Sequence, residues 1–419
     1  MIKNSSIRVR FAPSPTGVMH LGNVRAALIN YLFAKQKDGT FILRIEDTDE
    51  QRNVDPRANK IMADLAWLKL MFDEGPGKNE KYGPYYQSER SDIYKTHLDI
   101  LKEKNLVYRC FCTQEELEKK RQRQLALKFP PKYDRACLNL PQSAIDERLA
   151  KNMPFIWRFK LDSTKKANFL DLGHKNMSFD LSHFSDFALT RQDGSFTFMF
   201  ANFVDDMVMK ISHIFRGEDH LTNTAGQVAL YEAFNATVPI FWHLPIIINE
   251  EGKKLSKRDF GFSLDDLRNS GFLEEAICNY LAIIGGSFKK EIMNLEELSK
   301  ELNFEEIAST SKIRYDVEKL RWVNHSWIKL LSLQDLTKRA RPFIENKFEK
   351  AKSLSDSQLE TLLKFVHIEL FTLEDSTKML SFYFEKPEIN SELLKQHNLE
   401  NYKNIIKLAL EAGYTSDAQ

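Results

Sequence analysis

The first 45 residues carry the pattern that most constrains the fold. Residues 7–12 alternate as in a β-strand, and a Pro- and Gly-rich turn ends that segment. From residue 20 to 37, apolar side chains recur every three or four positions, as on one face of a helix. Residues 40–45 are typical of a second strand. Strand, helix and strand at this spacing form a βαβ unit, so we predict an α/β fold with a parallel sheet.

The composition is that of a large globular protein, and it argues against polybasic, membrane-spanning and secreted classes of protein. The chain has 419 residues, 42% of them hydrophobic, which allows about two to four domains at roughly 150 residues each. Because 60 Lys and Arg balance 59 Asp and Glu, a polybasic coat is excluded, although one basic face would suffice for nucleic acid. No stretch reaches the ~18–20 apolar residues of a membrane span, and no apolar signal segment opens the chain. We expect a cytoplasmic protein.

Further elements follow along the chain. A helix is expected from Asp55-Pro56 through Leu70, and a basic helix over 115–127. Another helix is expected over 224–234, and the chain after Lys254 is expected to be almost wholly helical. The predicted strands are 155–161, 196–200, 211–215 and 242–248.

The junction between the first strand and the first helix is a candidate nucleotide site. It reads Arg10-Phe-Ala-Pro-Ser-Pro-Thr-Gly17, followed by His20-Leu-Gly-Asn23. Free backbone N–H groups and the helix dipole suit phosphates there, and Gly22 would let a flat base or sugar approach the backbone. His20 is a candidate donor to phosphate oxygens, with helix capping as the structural alternative.

A loop with four cations is the second candidate element. Lys253-Lys-Leu-Ser-Lys-Arg258 follows a turn at 249–252. Such a loop is usually only solvated, but it can also close over a triphosphate and offset charge on the leaving group. The order of the two elements, about 230 residues apart, is more specific than either one alone.

Together the two elements resemble the signatures of class I aminoacyl-tRNA synthetases. His20 to Asn23 is similar to the "HIGH" element and Lys254 to Arg258 to the "KMSKS" element. The blocks 10–17, 43–49 and 215–221 narrow the resemblance to glutamyl-tRNA synthetases of bacterial type, and the likeness runs from Arg8 to about Trp327. The resemblance implies a Rossmann-type parallel-sheet catalytic domain with an inserted acceptor-binding domain, followed by an all-α C-terminal half.

The resemblance implies a glutamate pocket whose residue types suit that substrate. Glutamate has two carboxylates and one ammonium group, and fixed guanidinium groups suit its side chain. Arg10 and Arg216 match the glutamate-binding arginines, and Glu46 matches the carboxylate that receives the α-amino group. The other implied contacts are Ala12, Ser14, Phe198 and Asn202. Because Phe198 stands where a tyrosine is common, one buried hydrogen bond is lost, which would weaken affinity by up to about tenfold.

ATP with Mg²⁺ is the implied second substrate. The positions that match the ATP site are His20, Gly22, Asn23, Glu218 and Lys257. The implied catalytic residues are His20, Lys254 and Lys257, which position the reactants and stabilise charge. Each charged residue of the two sites, taken alone, could be part of a surface ion pair or a helix cap. Their occurrence together, in this order along the chain, favours a role in substrate binding over these structural roles.

Three cysteines are candidate metal ligands. Cys110, Cys112 and Cys137 match positions that bind zinc in some relatives, and a closed zinc site needs four ligands. Asn139 stands where some relatives have a histidine, whereas Tyr133 matches a tyrosine ligand of a shorter paralogue. The cluster is therefore either a structural Cys3Tyr zinc site or a relic without metal.

The resemblance implies five consecutive regions. They are the first half of the catalytic domain (1–106), an inserted connective domain with the cysteines (107–185), the second catalytic half (186–253), the mobile lysine loop with stem-contact helices (254–327), and an all-α anticodon-binding region (328–419). We expect the last region to be shortened. No arginine follows Arg341, so anticodon reading is expected to be reduced or altered.

The implied function is that of a glutamate–tRNA ligase. It would convert L-glutamate and ATP to glutamyl-adenylate and transfer the glutamyl group to the 3′-terminal adenosine of tRNA(Glu). Charging of tRNA(Gln) stays open, and a monomer is the family default. One alternative is the paralogue that glutamylates queuosine in tRNA(Asp), which lacks an anticodon-binding region. Another is a non-catalytic tRNA-binding relic, which Phe198, Asn139 and the short tail would fit.

Overall fold

The computed structural model describes residues 6–49, 53–55, 57–286, 288–304 and 312–385. The chain divides into two compact units, Met1–Trp327 and Ile328–Gln419. The strands are β1 (Arg8–Phe11), β2 (Thr40–Leu43), β3 (Val107–Cys110), β4 (Ile156–Phe159), β5 (Lys166–Asp171), β6 (Lys175–Asp180), β7 (His213–Gly217), β8 (Ile240–Leu244), β9 (Ile246–Ile248) and β10 (Lys312–Arg314).

Helices make up most of the remaining regular structure in the described ranges. They are α1 (Leu21–Gln36), α2 (Asn59–Trp67), α3 (Ser91–Glu103), α4 (Gln114–Ala126), α5 (Gln142–Ala150), α6 (Phe198–Val208), α7 (Leu221–Ala233), α8 (Leu264–Asn269), α9 (Glu274–Ile283), α10 (Leu295–Glu301), α11 (Val317–Leu330), α12 (Leu333–Lys347), α13 (Asp356–Val366), α14 (Asp375–Met379) and α15 (Ser381–Phe384). Among these helices, none combines the length and the apolar character needed to cross a bilayer.

The predicted βαβ unit at the start of the chain is confirmed. β1 and β2 pair in parallel, with Arg8 opposite Thr40 and Phe11 opposite Leu43, and α1 connects them. The backbone N–H of Ser212 donates to the carbonyl of Arg8 at 2.9 Å, which ties the approach to β7 to the start of β1. The carboxyl ends of β1, β2 and β7 therefore deliver their next residues to one edge of the structure.

A four-stranded sheet has the order β6-β5-β8-β7. β7 and β8 are parallel, β5 meets β8 in parallel at Asp171, and β5 and β6 form an antiparallel hairpin. β5 and β6 lie within the segment 107–185, yet they join the sheet of β7 and β8. β3 and β4 pair separately and antiparallel.

The predicted strand at 196–200 is wrong, because helix α6 begins at Phe198. The predicted segment contains only the start of the helix, where residues 198–201 are all apolar. The polar residues Asn202, Asp205 and Asp206 come later and are themselves buried, so the segment shows no polar periodicity of a surface helix. The predicted strand 242–248 is two strands, β8 and β9, separated at Pro245.

The helix predicted to start at Pro56 begins instead at Asn59 and ends at Trp67 rather than Leu70. Ala58 has a left-handed backbone with φ 51°, and the carboxylate of Asp55 accepts the backbone N–H of Lys60 at 2.7 Å. Pro56 lies outside the described residues. After Lys254 the described chain is helical except for short segments such as β10, which pairs in parallel with β9.

Asp205 on α6 is a buried junction between this helix and α3. Its carboxylate accepts from Arg90 Nε at 2.6 Å, from the Tyr94 hydroxyl at 2.9 Å and from Gln87 Nε2 at 2.8 Å. Asp205, Arg90 and Gln87 are each at most 1% exposed. Buried charges are tolerated only when they are paired in this way.

We predict that Asp205→Ala lowers the free energy of unfolding of the first unit by about 3–5 kcal/mol, because Arg90 would stay buried without its counter-ion. Urea unfolding followed by tryptophan fluorescence measures this, since all five tryptophans lie in Met1–Trp327. Asp92→Ala is the control, because it removes only the exposed pair of Asp92 with Lys95 and should change stability by less than about 0.5 kcal/mol. Equal unfolding curves for the two variants would contradict the prediction.

Candidate active site

A cavity of about 850 Å³ opens where the strands β1, β2, β7 and β8 end and α1 begins. Most sequence-predicted site residues line it: Arg10, Ala12, Ser14, His20, Gly22, Asn23, Glu46, Phe198, Asn202, Arg216, Lys254 and Lys257. Glu218 does not line this cavity; its carboxylate faces the ring of His174 at 3.7 Å. Residues from distant parts of the chain thus meet as the sequence predicted, with Glu218 as the exception.

Asp206 on α6 holds two arginines beside the cavity. Its carboxylate accepts from Arg10 Nε at 3.1 Å and Nη2 at 3.3 Å, and from Arg44 Nη1 at 2.7 Å. All three residues are at most 3% exposed. Burial raises the pKa of Asp206, but the nearby arginines outweigh this and the pKa is lowered overall. The carboxylate is therefore ionised at neutral pH.

Glu46, three residues after β2, is oriented by two donors. Its Oε1 accepts from Arg44 Nη2 at 3.0 Å and from Asn202 Nδ2 at 2.6 Å. Asn202 Oδ1 in turn accepts from Gln227 Nε2 at 2.9 Å. Burial is the largest influence on Glu46 and raises its pKa, although Arg44 and Arg10 oppose this. Because both bonds use Oε1, Oε2 is available to a ligand.

Arg216, in β7, is a buried guanidinium with donors to spare. Its Nη2 donates to Thr224 Oγ1 and to Gln227 Oε1, both at 2.7 Å. Its Nε and Nη1 are buried and have no hydrogen-bond partner within the described part of the chain. Burial, reinforced by Arg10, lowers the pKa of Arg216 to about 10, so the group is still charged at neutral pH.

Arg216 differs from its neighbours Arg10 and Arg44 in the charge of its partners. Among the described residues it bonds only neutral groups, the Thr224 hydroxyl and the Gln227 amide, whereas Arg10 and Arg44 are paired with the carboxylate of Asp206. A buried cation of this kind is a strong anion-binding group, because little water competes for it.

The first turn of α1 forms another wall of the cavity. His20 is the N-cap residue, and its Nδ1 accepts the backbone N–H of Asn23 at 3.4 Å. Its ring stacks on Phe262 with 5.7 Å between centroids, and the carbonyl of Phe262 accepts the N–H of Leu21 at 3.1 Å. Burial lowers the pKa of His20, and Lys254 lowers it further. The imidazole is therefore neutral at pH 7, and its Nε2 carries the proton.

The lysine loop, residues 253–258, is held by hydrogen bonds between its backbone and the neighbouring strand and turn. The N–H of Leu255 donates to the carbonyl of Ile247 in β9 at 3.0 Å. Asp259 accepts from the backbone and hydroxyl of Ser256, at 2.8 and 2.9 Å, and from Asn249 Nδ2 at 3.0 Å. Lys254 reaches Asp219 at 3.3 Å across the opening, and Lys257 is exposed on the cavity wall. The loop thus has a fixed base and solvated cationic side chains.

Phe198 is the first residue of α6 and lines the cavity opposite His220. The two rings lie 5.3 Å apart between centroids and are tilted by 37°. Burial lowers the pKa of His220 to about 4, and Arg216 contributes. A neutral His220 and an apolar Phe198 therefore give this part of the wall no charge.

The cysteine cluster lies where β3 ends. The sulfurs of Cys110, Cys112 and Cys137 lie within 4.8 Å of one another, and Cys112 Sγ is 3.6 Å from Cys137 Sγ. The Tyr133 hydroxyl lies 3.2 Å from Cys110 Sγ and 3.8 Å from Cys112 Sγ. Arg158 stacks 4.1 Å above the Tyr133 ring. The four groups that the sequence singled out are thus brought together.

Sequence reasoning missed the polar residues that support the cavity from behind. Asp206, Thr224 and Gln227 were not predicted, although each bonds a cavity residue directly. One signal was present: Asp205-Asp206 is an acidic pair inside a mostly apolar helix, and acids are rarely buried without partners. Thr224 and Gln227 carry no such signal.

Comparison with known proteins places this geometry in a family. The model of the class I tRNA synthetases for E and Q, catalytic domain, matches residues 6–322. A glutamate–tRNA ligase from a Sulfurihydrogenibium species is 38% identical, over 98% of this chain and 91% of that protein. Another from Bacillus pumilus is 38% identical over 93% of this chain and 82% of that protein.

Solved structures agree with the sequence comparison. The crystal structure of a glutamate tRNA ligase from Elizabethkingia meningosepticum, in complex with its amino acid, has a TM-score of 0.88 and is 33% identical. The match covers 99% of this chain and 87% of that chain. A glutamate-tRNA synthetase from Elizabethkingia anophelis has a TM-score of 0.85 at 34% identity, over 94% of this chain and 84% of that one.

We predict that Lys254→Gln raises the pKa of His20, because it removes a positive charge that disfavours the imidazolium and leaves Asp219 in place. NMR titration of labelled histidine Cε1–H signals measures the change. Lys253→Gln is the matched control, since Lys253 pairs with Glu251 in the same loop and does not contribute to the His20 shift. A downward shift in the Lys254 variant, or an equal upward shift in the control, would contradict the assignment.

Proposed function

The chain belongs to the glutamate–tRNA ligases of the class I aminoacyl-tRNA synthetases, and we propose that its 850 Å³ cavity is where glutamate is activated. As a member of that family it is a ligase that forms aminoacyl-tRNA. The observation that carries the proposal is the Arg216 guanidinium, which has only neutral hydrogen-bond partners among the described residues and lies in the same cavity as Glu46. Glutamate, with a net charge of about −1 and one ammonium group at neutral pH, complements this pair.

We propose that Arg216 binds the side-chain carboxylate of glutamate. Its Nε and Nη1 are buried donors that lack partners in the described chain, and an acceptor there would relieve their desolvation. Arg10 bonds Asp206 through Nε and Nη2, and its Nη1 has only a 3.5 Å contact with the carbonyl of Phe215, so Arg10 adds positive charge beside Arg216. Glu46 would receive the α-ammonium at Oε2, and Asn202 keeps that carboxylate in place.

ATP, as its magnesium complex, would lie across the start of α1. The Nε2–H of His20 can donate to a phosphate oxygen, and Gly22 leaves the backbone open to the nucleotide. The α-carboxylate of glutamate attacks the α-phosphate, and pyrophosphate leaves. Lys254 and Lys257 offset the negative charge that develops on the leaving group.

Transfer to tRNA needs no further protein nucleophile. The 2′-hydroxyl of the terminal adenosine attacks the carbonyl of glutamyl-adenylate, and AMP is released. The protein's contribution is to hold the reactants together and to stabilise charge. We propose tRNA(Glu) as the acceptor and tRNA(Gln) as a second acceptor to be tested, with charging in the cytoplasm by a monomer. The helices of the second unit support a role in tRNA binding that the queuosine paralogue lacks.

Aminoacylation with radiolabelled glutamate and purified tRNA for glutamate, glutamine and aspartate tests the proposal. We expect tRNA(Glu) to be charged and Lys257→Ala to lower kcat by about 10²–10³-fold, because one stabilising cation is lost. Lys253→Ala is the matched loop control and should change kcat by less than about threefold, since Lys253 is paired with Glu251.

The other outcomes assign other functions. Label only on tRNA(Asp) would identify the paralogue that modifies queuosine. Binding of tRNA without label on any of the three would identify a non-catalytic relic. Label on tRNA(Gln) as well as tRNA(Glu) would define a ligase that does not discriminate between the two acceptors.

We propose that the cysteine cluster holds a structural zinc ion. Zn–S bonds of about 2.3 Å in a tetrahedron place neighbouring sulfurs roughly 3.8 Å apart, close to the 3.6 Å between Cys112 and Cys137. Three cysteines and Tyr133 supply four ligands, and the guanidinium of Arg158 offsets their negative charge. Zinc there would fix the β3–α4 connection and take no part in catalysis.

Metal analysis of the purified protein tests the zinc site. We expect about one zinc per chain, and much less in Cys137→Ser, because three ligands hold structural zinc poorly. Cys278→Ala is the control: Cys278 is buried near Leu68, away from the cluster, and its removal should leave the zinc content unchanged. A metal-free wild-type protein that is fully folded would identify the cluster as a relic.

A further inference from the structure

Behind Arg216 lies a group of polar residues that the cavity does not expose. Thr224 in α7, His243 in β8 and Asp171 at the end of β5 are each at most 1% exposed, and none lines the cavity. Burying three polar side chains between a helix and a sheet is costly unless each is bonded. Their hydrogen bonds form one chain that ends on Arg216.

Asp171 is the fixed end of this chain. Its Oδ1 accepts the backbone N–H groups of Gly173 and His174, at 2.9 and 2.8 Å. Its Oδ2 accepts the backbone N–H of His243 at 3.0 Å and lies 2.7 Å from His243 Nδ1. A carboxylate oxygen at that distance requires the proton on Nδ1.

The tautomer of His243 then sets the direction of the next bond. Burial lowers the pKa of His243, and Arg216 also contributes, so the ring is neutral at pH 7. With Nδ1 protonated, Nε2 is an acceptor, and the Thr224 hydroxyl donates to it at 2.8 Å rather than to the carbonyl of His220, which lies farther away at 3.3 Å. The lone pairs of Thr224 Oγ1 are therefore free to accept Arg216 Nη2 at 2.7 Å.

Arg216 is consequently held through one nitrogen only. Nη2 spends its two hydrogens on Thr224 and Gln227, which fixes the plane of the guanidinium. Nε and Nη1 are buried and stay unpaired among the described residues, in a side chain whose residue lines the cavity. The contacts with Thr224 and Gln227 therefore leave these two nitrogens available to a ligand.

We propose that Asp171, His243 and Thr224 form a positioning relay that orients Arg216 toward the anionic side chain of the amino-acid substrate. The proposal rests on the function proposed above for Arg216. In this relay the three residues touch neither substrate nor ATP. They set how tightly glutamate is bound, and how well it is distinguished from its neutral amide, by removing alternative orientations of the guanidinium.

Thr224→Val and Thr224→Ser are the matched pair that tests the relay. Valine keeps the shape but removes the acceptor of Arg216 Nη2, whereas serine keeps the hydroxyl. We expect Thr224→Val to raise the KM for glutamate by about tenfold or more, with the KM for ATP and kcat changed by less than about threefold. Thr224→Ser should stay within about threefold of the wild type in all three quantities. Aminoacylation kinetics on the full chain, with thermal unfolding of each variant, give these values.

A second variant reports on the relay without relying on activity. In Asp171→Asn the amide N–H can face His243 Nδ1 and move the ring proton to Nε2. ¹⁵N NMR of labelled histidine should show the Nδ1–H tautomer of His243 in the wild type and the Nε2–H tautomer in the variant. A wild-type ring with its proton on Nε2 would overturn the relay.

Arg216→Gln separates failure of the relay from failure of the proposed function. If this variant binds glutamate as tightly as the wild type, the role proposed for Arg216 is wrong, and the relay falls with it. If Arg216→Gln abolishes glutamate use but Thr224→Val leaves the KM for glutamate unchanged, only the relay is overturned. Equal increases in the KM for glutamate and for ATP in Thr224→Val would also overturn it, because they indicate a general loss of structure.

Discussion

The carboxylate of Asp206, shared between Arg10 and Arg44, is the interaction on which the cavity depends. Arg10 comes from β1, Arg44 follows β2 and Asp206 lies in α6, so one buried anion joins three segments that are far apart in sequence. Without it, Arg10 would lose its carboxylate partner and Arg44 would lose its shortest ion pair, at a cost of several kcal/mol. The ion pairs therefore hold these three segments together and keep charged side chains in place beside the cavity.

From Asp206 the polar contacts continue without interruption to the far side of the sheet. Arg44 reaches Glu46, and Asn202 and Gln227 connect Glu46 to Arg216. Each of these groups is buried, so each bond is made in a medium of low polarity where geometry is well defined. The result is a rigid anion-binding wall, in contrast to the lysine loop, whose cations are exposed and anchored only at the base. This contrast between a rigid wall and a loop with solvated cations fits the roles proposed above, in which the wall binds the amino acid and the loop binds the phosphates.

The sequence predicted much of this because its strongest signals are local. The Pro- and Gly-rich turn after β1 and the periodicity of α1 are determined by nearby residues, and the βαβ unit follows from them. The strand predicted at 196–200 failed because a helix buried on all sides has the same apolar composition as a buried strand. Thr224, Gln227 and His243 could not be found from the sequence, since their significance lies in contacts of α7 with α6, β7 and β8, and of β8 with β5, that no local pattern encodes. Glu218 is the opposite case. It lies in the block 215–221, which carries the family resemblance, yet it does not line the cavity.

The most direct test of this account is a crystal structure of the protein with glutamate or a stable analogue of glutamyl-adenylate. We expect the side-chain carboxylate to lie within about 3.2 Å of Arg216 Nε or Nη1, with the ammonium at Glu46 Oε2 and the Thr224 bond to Nη2 retained. A ligand whose side-chain carboxylate lies away from Arg216, or an Arg216 that has turned from Thr224 to reach it, would contradict the account.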